Sequence, residues 1–404
     1  MPEDPLAAFL RVYPLDDARV VASVAPWTIA RVAASAVRAA VDIALTGAAP
    51  ITVCVEPRVA GATHLAATGA LHLSYYADAG VDHAAAAAVV RRLAAALATF
   101  EGGGPKFLPV LHGGGALVEL RINRACNERC RFCNTPEDSP TILPDAAAVL
   151  AQIAAAARAG CRELLLTGRE TTLDPRLPEY LRAARDAGIA TRRVQTNGTT
   201  LHHRPLRDRL VDAGMNAAEV SLHTLDPDTF EALIGSRGLL EHTRAGLDAL
   251  AETPGVRVHL VVVLTALNAA EVPALVDAVA ARWPGFRSMT LSPVAPVGDG
   301  ATALELLMPY DQLAPHLAAA IRRATAHGIE AIIPARCGLP PCALPPDVRD
   351  HHAAIRDGRG GPIEPGKHKP AGCARCALDR VCGGAWSAYL ARFGDAALVP
   401  ISPR

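Results

Sequence analysis

The chain has 404 residues, and its 40 Lys+Arg balance 40 Asp+Glu for a formal net charge of zero. That balance gives no electrostatic reason to expect nucleic acid or an anionic membrane as partner. Half the residues are hydrophobic, yet no uninterrupted apolar run is long enough to span a bilayer, and the length predicts two or three domains.

The first residues, MPEDPLAAFLRVYPLDD, lack a basic segment followed by an apolar stretch, so no signal peptide is expected and the expected location is cytoplasmic. Residues 1–105 read as a small α+β domain without an assigned role. ITVCVEP and ALHLSYYADAG have strand character, DHAAAAAVVRRLAAALATF is helical, and EGGGPKFLP reads as a linker. Residues 106–333 alternate between two textures. ALVELRI, CRELLLT, IATRRVQT, AAEVSLH, VRVHLVVVLT and FRSMTLS are short apolar or β-forming runs. Helical stretches lie between them. LPDAAAVLAQIAAAARAG places Leu150, Ile153 and Ala157 on one face, with Gly160 as C-cap. PRLPEYLRAARDAG does the same with Leu177, Tyr180, Leu181 and Ala184, ending at Gly188. Strand–helix alternation repeated about six times predicts parallel strands joined by right-handed crossovers, an α/β sheet or barrel. Residues 334–404 are dense in Pro and Gly until CGGAWSAYLARFG, which reads as a short helix.

Ten cysteines punctuate this plan. Cys54 and Cys161 sit in apolar runs and read as small core residues. The other eight form two groups, which in a reducing compartment favours metal or redox chemistry over disulfides. Cys126, Cys130 and Cys133, spaced Cys-x3-Cys-x2-Cys, follow the first strand of the alternating series. In a parallel α/β architecture such a loop opens at the C-terminal end of the strands, where sites collect. Structural zinc is usually closed by four ligands. Three thiolates leave a position for an exogenous ligand, unless His202 or His203 closes a zinc loop. The pairs His202–His203 and His351–His352 otherwise read as surface residues.

This motif, with Phe132 before its last cysteine, resembles the signature of the radical S-adenosylmethionine (SAM) superfamily. The resemblance covers about residues 116–300 and implies a partial (β/α)6 TIM-type barrel. It implies a [4Fe-4S] cluster on Cys126, Cys130 and Cys133, whose fourth iron chelates SAM. Further stretches match the family in place. LLLTGRETTLDP resembles its Gly-Gly-Glu-Pro stretch through Gly168 and Glu170, with Glu170 suited to the methionyl ammonium, although Arg169 and Thr171 replace the second Gly and the Pro. Asn197 in VQTNGTTL, Ser221 and His223 in EVSLHTLD, Asn268 in VVVLTALN and Gly298 in SPVAPVGDG follow the next strands, where the family binds SAM; Asn-Gly is also plain turn chemistry.

Cys373-x2-Cys376-x5-Cys382 resembles the core of the SPASM and twitch extensions, which carry auxiliary iron–sulfur clusters. Together with one of Cys337 or Cys342 it implies an auxiliary [4Fe-4S] cluster; a zinc knot is the other reading. The resemblance implies an enzyme that cleaves SAM reductively to a 5′-deoxyadenosyl radical, served by a flavodoxin- or ferredoxin-type electron donor. A ribosomally made peptide is the expected substrate, with a small molecule in cofactor or natural-product synthesis as the alternative. A zinc-stabilised binding protein without catalysis is the reading from another class.

Overall fold

The computed structural model describes residues 5–34, 41–47, 50–57, 70–77, 83–100, 106–109, 117–137, 139, 142–143, 145–158, 161–356, 366–379 and 382–402. The chain divides into two compact units, one built mainly from Met1–Val118 and the other from the remaining βα series together with Gly366–Arg404.

In the first unit, α1 (Pro5–Val12) and α2 (Ala18–Ser23) precede a five-stranded sheet. Its strands, in spatial order, are β1 (Thr28–Ala34), β2 (Val41–Thr46), β3 (Ile51–Pro57), β4 (Ala70–Ala77) and β5 (Lys106–Pro109), with α3 (His83–Ala98) preceding β5 in sequence. β1 to β4 pair antiparallel, and β5 runs parallel to β4. Alternation turns Ile51, Val53 and Val55 into the same core as Ile43, Leu45 and Leu73. α3 adds Val89, Leu93 and Leu97, three to four residues apart, to that core. Cys54 lies in β3, but its side chain is outside the described residues. The expected linker EGGGPKFLP contributes β5 instead. A four-residue strand behind a run of glycines offers too little alternation to be read.

The second unit is a partial (β/α) barrel. Its elements follow one another as β6 (Leu117–Asn123), α4 (Ala146–Arg158), β7 (Glu163–Gly168), α5 (Leu177–Asp186), β8 (Thr191–Thr196), α6 (Arg204–Ala213), β9 (Ala217–Ser221), α7 (Pro227–Ile234), α8 (Leu240–Ala251), β10 (Arg257–Leu264), α9 (Val272–Arg282), β11 (Ser288–Pro293), α10 (Tyr310–Ala326) and β12 (Glu330–Ile332). The seven strands lie side by side in sequence order, and β8 to β12 pair parallel. All six expected strands are present. The seventh, β12, is only three residues long and stops short of Pro334, so nothing in its sequence announces it. α5 buries Leu177, Tyr180, Leu181 and Ala184, as its spacing predicts. α4 buries Val149, Ile153 and Ala156 rather than Leu150, Ile153 and Ala157, because an Ala-rich helix distinguishes its faces weakly. Gly160 lies outside the described residues. Cys161 is buried, as a core residue should be.

The Cys-rich segment, expected as a third domain over residues 334–404, belongs to the same compact unit as the barrel. It contains α11 (Ala353–Arg356), the two-residue strands β13 (Lys367–His368) and β14 (Ala385–Trp386), and α12 (Ser387–Phe393). Tyr389 of α12 stacks on Tyr310 at 3.6 Å between ring centroids, and its hydroxyl accepts the Tyr310 N–H at 2.8 Å. That hydrogen bond satisfies a free donor at the start of α10. His352, expected at the surface, is only 3% exposed. A bridge to Ile333 draws it inward, and its Nδ1 accepts the Ala354 N–H at 3.2 Å. Among the described residues, no helix is long and apolar enough to cross a membrane.

Candidate functional site

The loop after β6 holds the first three thiols in a frame of backbone hydrogen bonds. Arg129 N–H donates to Ile234 O at 2.8 Å, Arg131 N–H to Leu233 O at 3.1 Å, and Asp299 N–H to Cys133 O at 2.8 Å. The end of α7 and the loop after β11 thus clamp it from two sides. Burial raises the Cys130 thiol well above its ordinary pKa; Glu128 and the other two thiols add to the rise, so the three cysteines share one electrostatic space. Burial likewise pushes Cys126 up to about 11. A bound metal reverses that balance, because a coordinating thiol is deprotonated outright. The Glu128 N–H points at Cys126 Sγ from 3.4 Å. Cys130 opens onto a cavity of about 920 Å³ that Arg124, Arg129, Arg131 and Arg169 also line. His202 is engaged elsewhere, bonding Thr199 O and packing on His242.

Around this loop the structure brings most of the expected residues together. Glu170 is completely buried and saturated. It accepts from Thr172 N–H, the Thr172 hydroxyl, the Thr196 hydroxyl and Asn197 N–H, the last at 2.7 Å. Burial raises its pKa while those four donors hold it down. Asn197 reaches the cysteine loop, donating from Nδ2 to Asn127 Oδ1 at 2.8 Å. Phe132 stands edge-on to the His223 ring at 4.9 Å. His223 Nδ1 accepts the Val263 N–H at 3.1 Å, and burial lowers its pKa to about 4, so the neutral ring carries its proton on Nε2. Ser221, two residues before it, is half-buried on the same strand face.

Three expected residues have packing tasks. Asn268 uses its whole amide inside the protein: Oδ1 accepts from Thr265, and Nδ2 donates to His223 O and Val263 O. A Cβ on Gly168 would stand 2.7 Å from Asn123 O, and one on Gly298 2.5 Å from Cys133 O, at positive φ in both cases. These glycines let β6 meet β7, and let the loop after β11 meet the cysteine loop. Sequence reasoning missed Glu128, a carboxylate 5% exposed that accepts the Cys130 thiol at 3.3 Å. Burial pushes its pKa up to about 7. A lone Glu between cysteines carries no signal that it points inward.

Residues 120–279 match the family model described as the radical SAM superfamily. Residues 120–279 form a radical SAM domain. GTP 3′,8-cyclase of Chlorobaculum tepidum is 36% identical over 180 residues, covering 44% of this chain and 53% of that protein. GTP 3′,8-cyclase 1 of Pseudomonas aeruginosa is 34% identical over 189 residues, covering 45% and 56%. The chain spans about half the length of these curated relatives. The crystal structure of Streptococcus suis SuiB bound to S-adenosylmethionine superposes with a TM-score of 0.50 at 15% identity, covering 71% of this chain and 76% of that one. At that identity the likeness shows the fold alone.

The radical SAM superfamily implies a [4Fe-4S] cluster and SAM, and the donor set fits. Three thiols lie on one clamped loop at the C-terminal mouth of the barrel, and Cys130 lines the cavity beside it. Four cysteines of the second group also converge on one place. Cys342, Cys373, Cys376 and Cys382 line one small cavity with Lys369 and Asp379, and Cys337 is not among its walls. Burial, then the other three thiols, pushes Cys342 up to about 12. Backbone N–H groups face two of these sulfurs, Ile401 toward Cys376 at 3.4 Å and Gly384 toward Cys382 at 3.3 Å. Such N–H···S contacts are levers by which proteins tune iron–sulfur centres.

Gly298→Ala should therefore loosen the first centre without touching a ligand. The added methyl has to displace Cys133 O. We expect iron to leave the variant severalfold faster than wild type under a chelator, followed by absorbance. Equal rates would show that the loop absorbs the methyl.

Proposed function

We propose that the chain is a radical SAM enzyme that acts on a small molecule and holds an auxiliary [4Fe-4S] cluster on Cys342, Cys373, Cys376 and Cys382. The observation that carries the reading is the Cys126–Cys130–Cys133 loop, clamped by backbone hydrogen bonds at the mouth of a parallel barrel, next to the buried Glu170 shelf. Cys126, Cys130 and Cys133 would hold the first cluster, which when bound would supply the electron for reductive cleavage of SAM to methionine and a 5′-deoxyadenosyl radical able to take hydrogen from an unreactive carbon.

The protein's own contribution is placement. Cys126, Cys130 and Cys133 hold the cluster. Glu170, fixed by its four donors, keeps Thr196 and Asn197 at the rim where the methionyl group is received. His223 offers Nε2–H and Ser221 its hydroxyl to the ribose, and Phe132 closes over His223 and keeps water from the reacting carbon. A flavodoxin- or ferredoxin-type protein is the electron source in this reading.

The relatives that share the barrel segment are named for a reaction of GTP, which favours a small molecule over the expected peptide. The deciding experiment uses protein purified without oxygen, reconstituted with iron and sulfide, reduced with dithionite and supplied with SAM. Deoxyadenosine should be released, faster when GTP is added. Release stimulated by peptides but not by GTP would restore the peptide reading. No release under strong reduction would sink the enzyme.

A further inference from the structure

The inner face of the barrel sheet carries a row of polar side chains that none of the roles above employs. Parallel pairing sets Gln195 beside Glu219, Glu219 beside His259, His259 beside Ser288, and Ser288 beside Glu330. Each of five neighbouring strands thus gives one polar residue at one level, on one side of the sheet. β7 joins through Thr167, whose hydroxyl donates to the Gln195 carbonyl. Gln195 Nε2 donates to Glu219 Oε1 at 2.8 Å, and Arg193 Nη1 to Glu219 Oε2 at 3.2 Å. His259 bonds the Ser288 hydroxyl at 2.8 Å and the Thr290 hydroxyl at 2.9 Å.

The alternate residues of the same strands tell the opposite story. Val194, Ala218, Val258, Leu260, Met289 and Leu291 are apolar and buried. A barrel interior that serves only stability is filled by branched apolar side chains. Burying a carboxylate is costly even when it is paired, and an apolar layer of like volume would be as stable or more so. The cost is visible here: burial raises the Glu219 pKa despite Arg193 and Gln195. Glu219 accepts two hydrogen bonds from its neighbours, and a carboxylate has lone pairs for about four.

We propose that this row is the floor of the substrate site, and that it takes a small nitrogen heterocycle whose adjacent N–H donors bond the Glu219 carboxylate. The level is right. Asn197 and Ser221 lie two residues further along their strands, about 7 Å nearer the SAM end. A ring on the floor therefore lies within reach of a radical generated above it. The chemistry is also selective. One guanidinium, the carboxylates of Glu219 and Glu330, one amide, a neutral imidazole and three hydroxyls suit a hydrogen-bonding ring, and offer little to a peptide's apolar side chain. The inference rests on the small-molecule reading and specifies its chemistry.

Guanosine and inosine test it, since the two differ by the exocyclic amine that sits beside the ring N–H. Binding of each is measured by calorimetry on anaerobic, reconstituted protein with SAM present. Guanosine should bind at least about tenfold more tightly than inosine, the scale of one hydrogen bond to a charged acceptor. Glu219→Gln should bring the two within about twofold. Should that variant not fold, the wild-type pair of nucleosides still decides. Equal binding of the two nucleosides, or none, overturns the proposal. Deoxyadenosine release in the same samples reads the radical chemistry separately, so release without nucleoside discrimination removes the floor and leaves the enzyme standing.

Discussion

Alanine at Cys126, Cys130 and Cys133 together should lower bound iron from about eight per chain to about four, the inventory of two four-iron sites. Deoxyadenosine formation should end altogether. The expected result depends on the two thiol groups being separate. Cys130 lines one cavity, while Cys342, Cys373, Cys376 and Cys382 line another, and no cysteine lines both. The barrel should stay folded, because its core of Leu166, Val194, Val220, Leu260 and Leu291 does not involve the loop's sulfurs. Iron analysis with far-UV circular dichroism on the same sample checks both halves. Wild type with four irons and one zinc would make the C-terminal site a zinc knot. Iron unchanged by the triple substitution would disprove the first centre.

Glu170→Ala should cost about 3 kcal/mol of stability and most of the affinity for SAM. Four donors converge on this carboxylate, three on Oε1 and one on Oε2. Each buried donor left without an acceptor costs about 1–3 kcal/mol, less what relaxation and entering water return. Glu170→Gln should cost less, because one amide oxygen can still serve the Thr172 and Thr196 donors. Its NH2 would then face the Asn197 N–H, donor against donor, and displace Asn197 from Asn127 in the cysteine loop. Denaturant titration and SAM binding are the two measurements. An alanine variant as stable as wild type that loses only SAM affinity would make Glu170 a plain ligand and not also a support.

Much of this was readable before any coordinates. Six barrel strands are continuous or alternating apolar runs, and Cys-x3-Cys-x2-Cys after the first of them marks the mouth. What escaped was of two kinds. Very short elements, β5 and β12, contain too few residues to show a period. Contacts between distant segments leave no local trace. The meeting of Cys342 with Cys373, Cys376 and Cys382, the burial of His352 beside Ile333 and the inward turn of Glu128 are all of this sort. Asn268 and Gly298 stand at the expected strand ends, and there they brace the loops. The sequence marks a position at the rim. Whether a side chain faces the lumen or the neighbouring loop is decided by packing.

The two-sidedness of the strands also limits how this molecule can vary over evolutionary time. Glu219, Ser221 and His223 share one parity, as do His259, Val261 and Val263. Their neighbours on the other parity are sealed beneath the helices. An odd insertion within β9 or β10 would exchange the wet face for the dry one along the rest of that strand. It would drive Leu260 or Val262 into the lumen and His223 or His259 under a helix. Length change is therefore confined to the connections, and new specificity has to be gained by replacing residues in place.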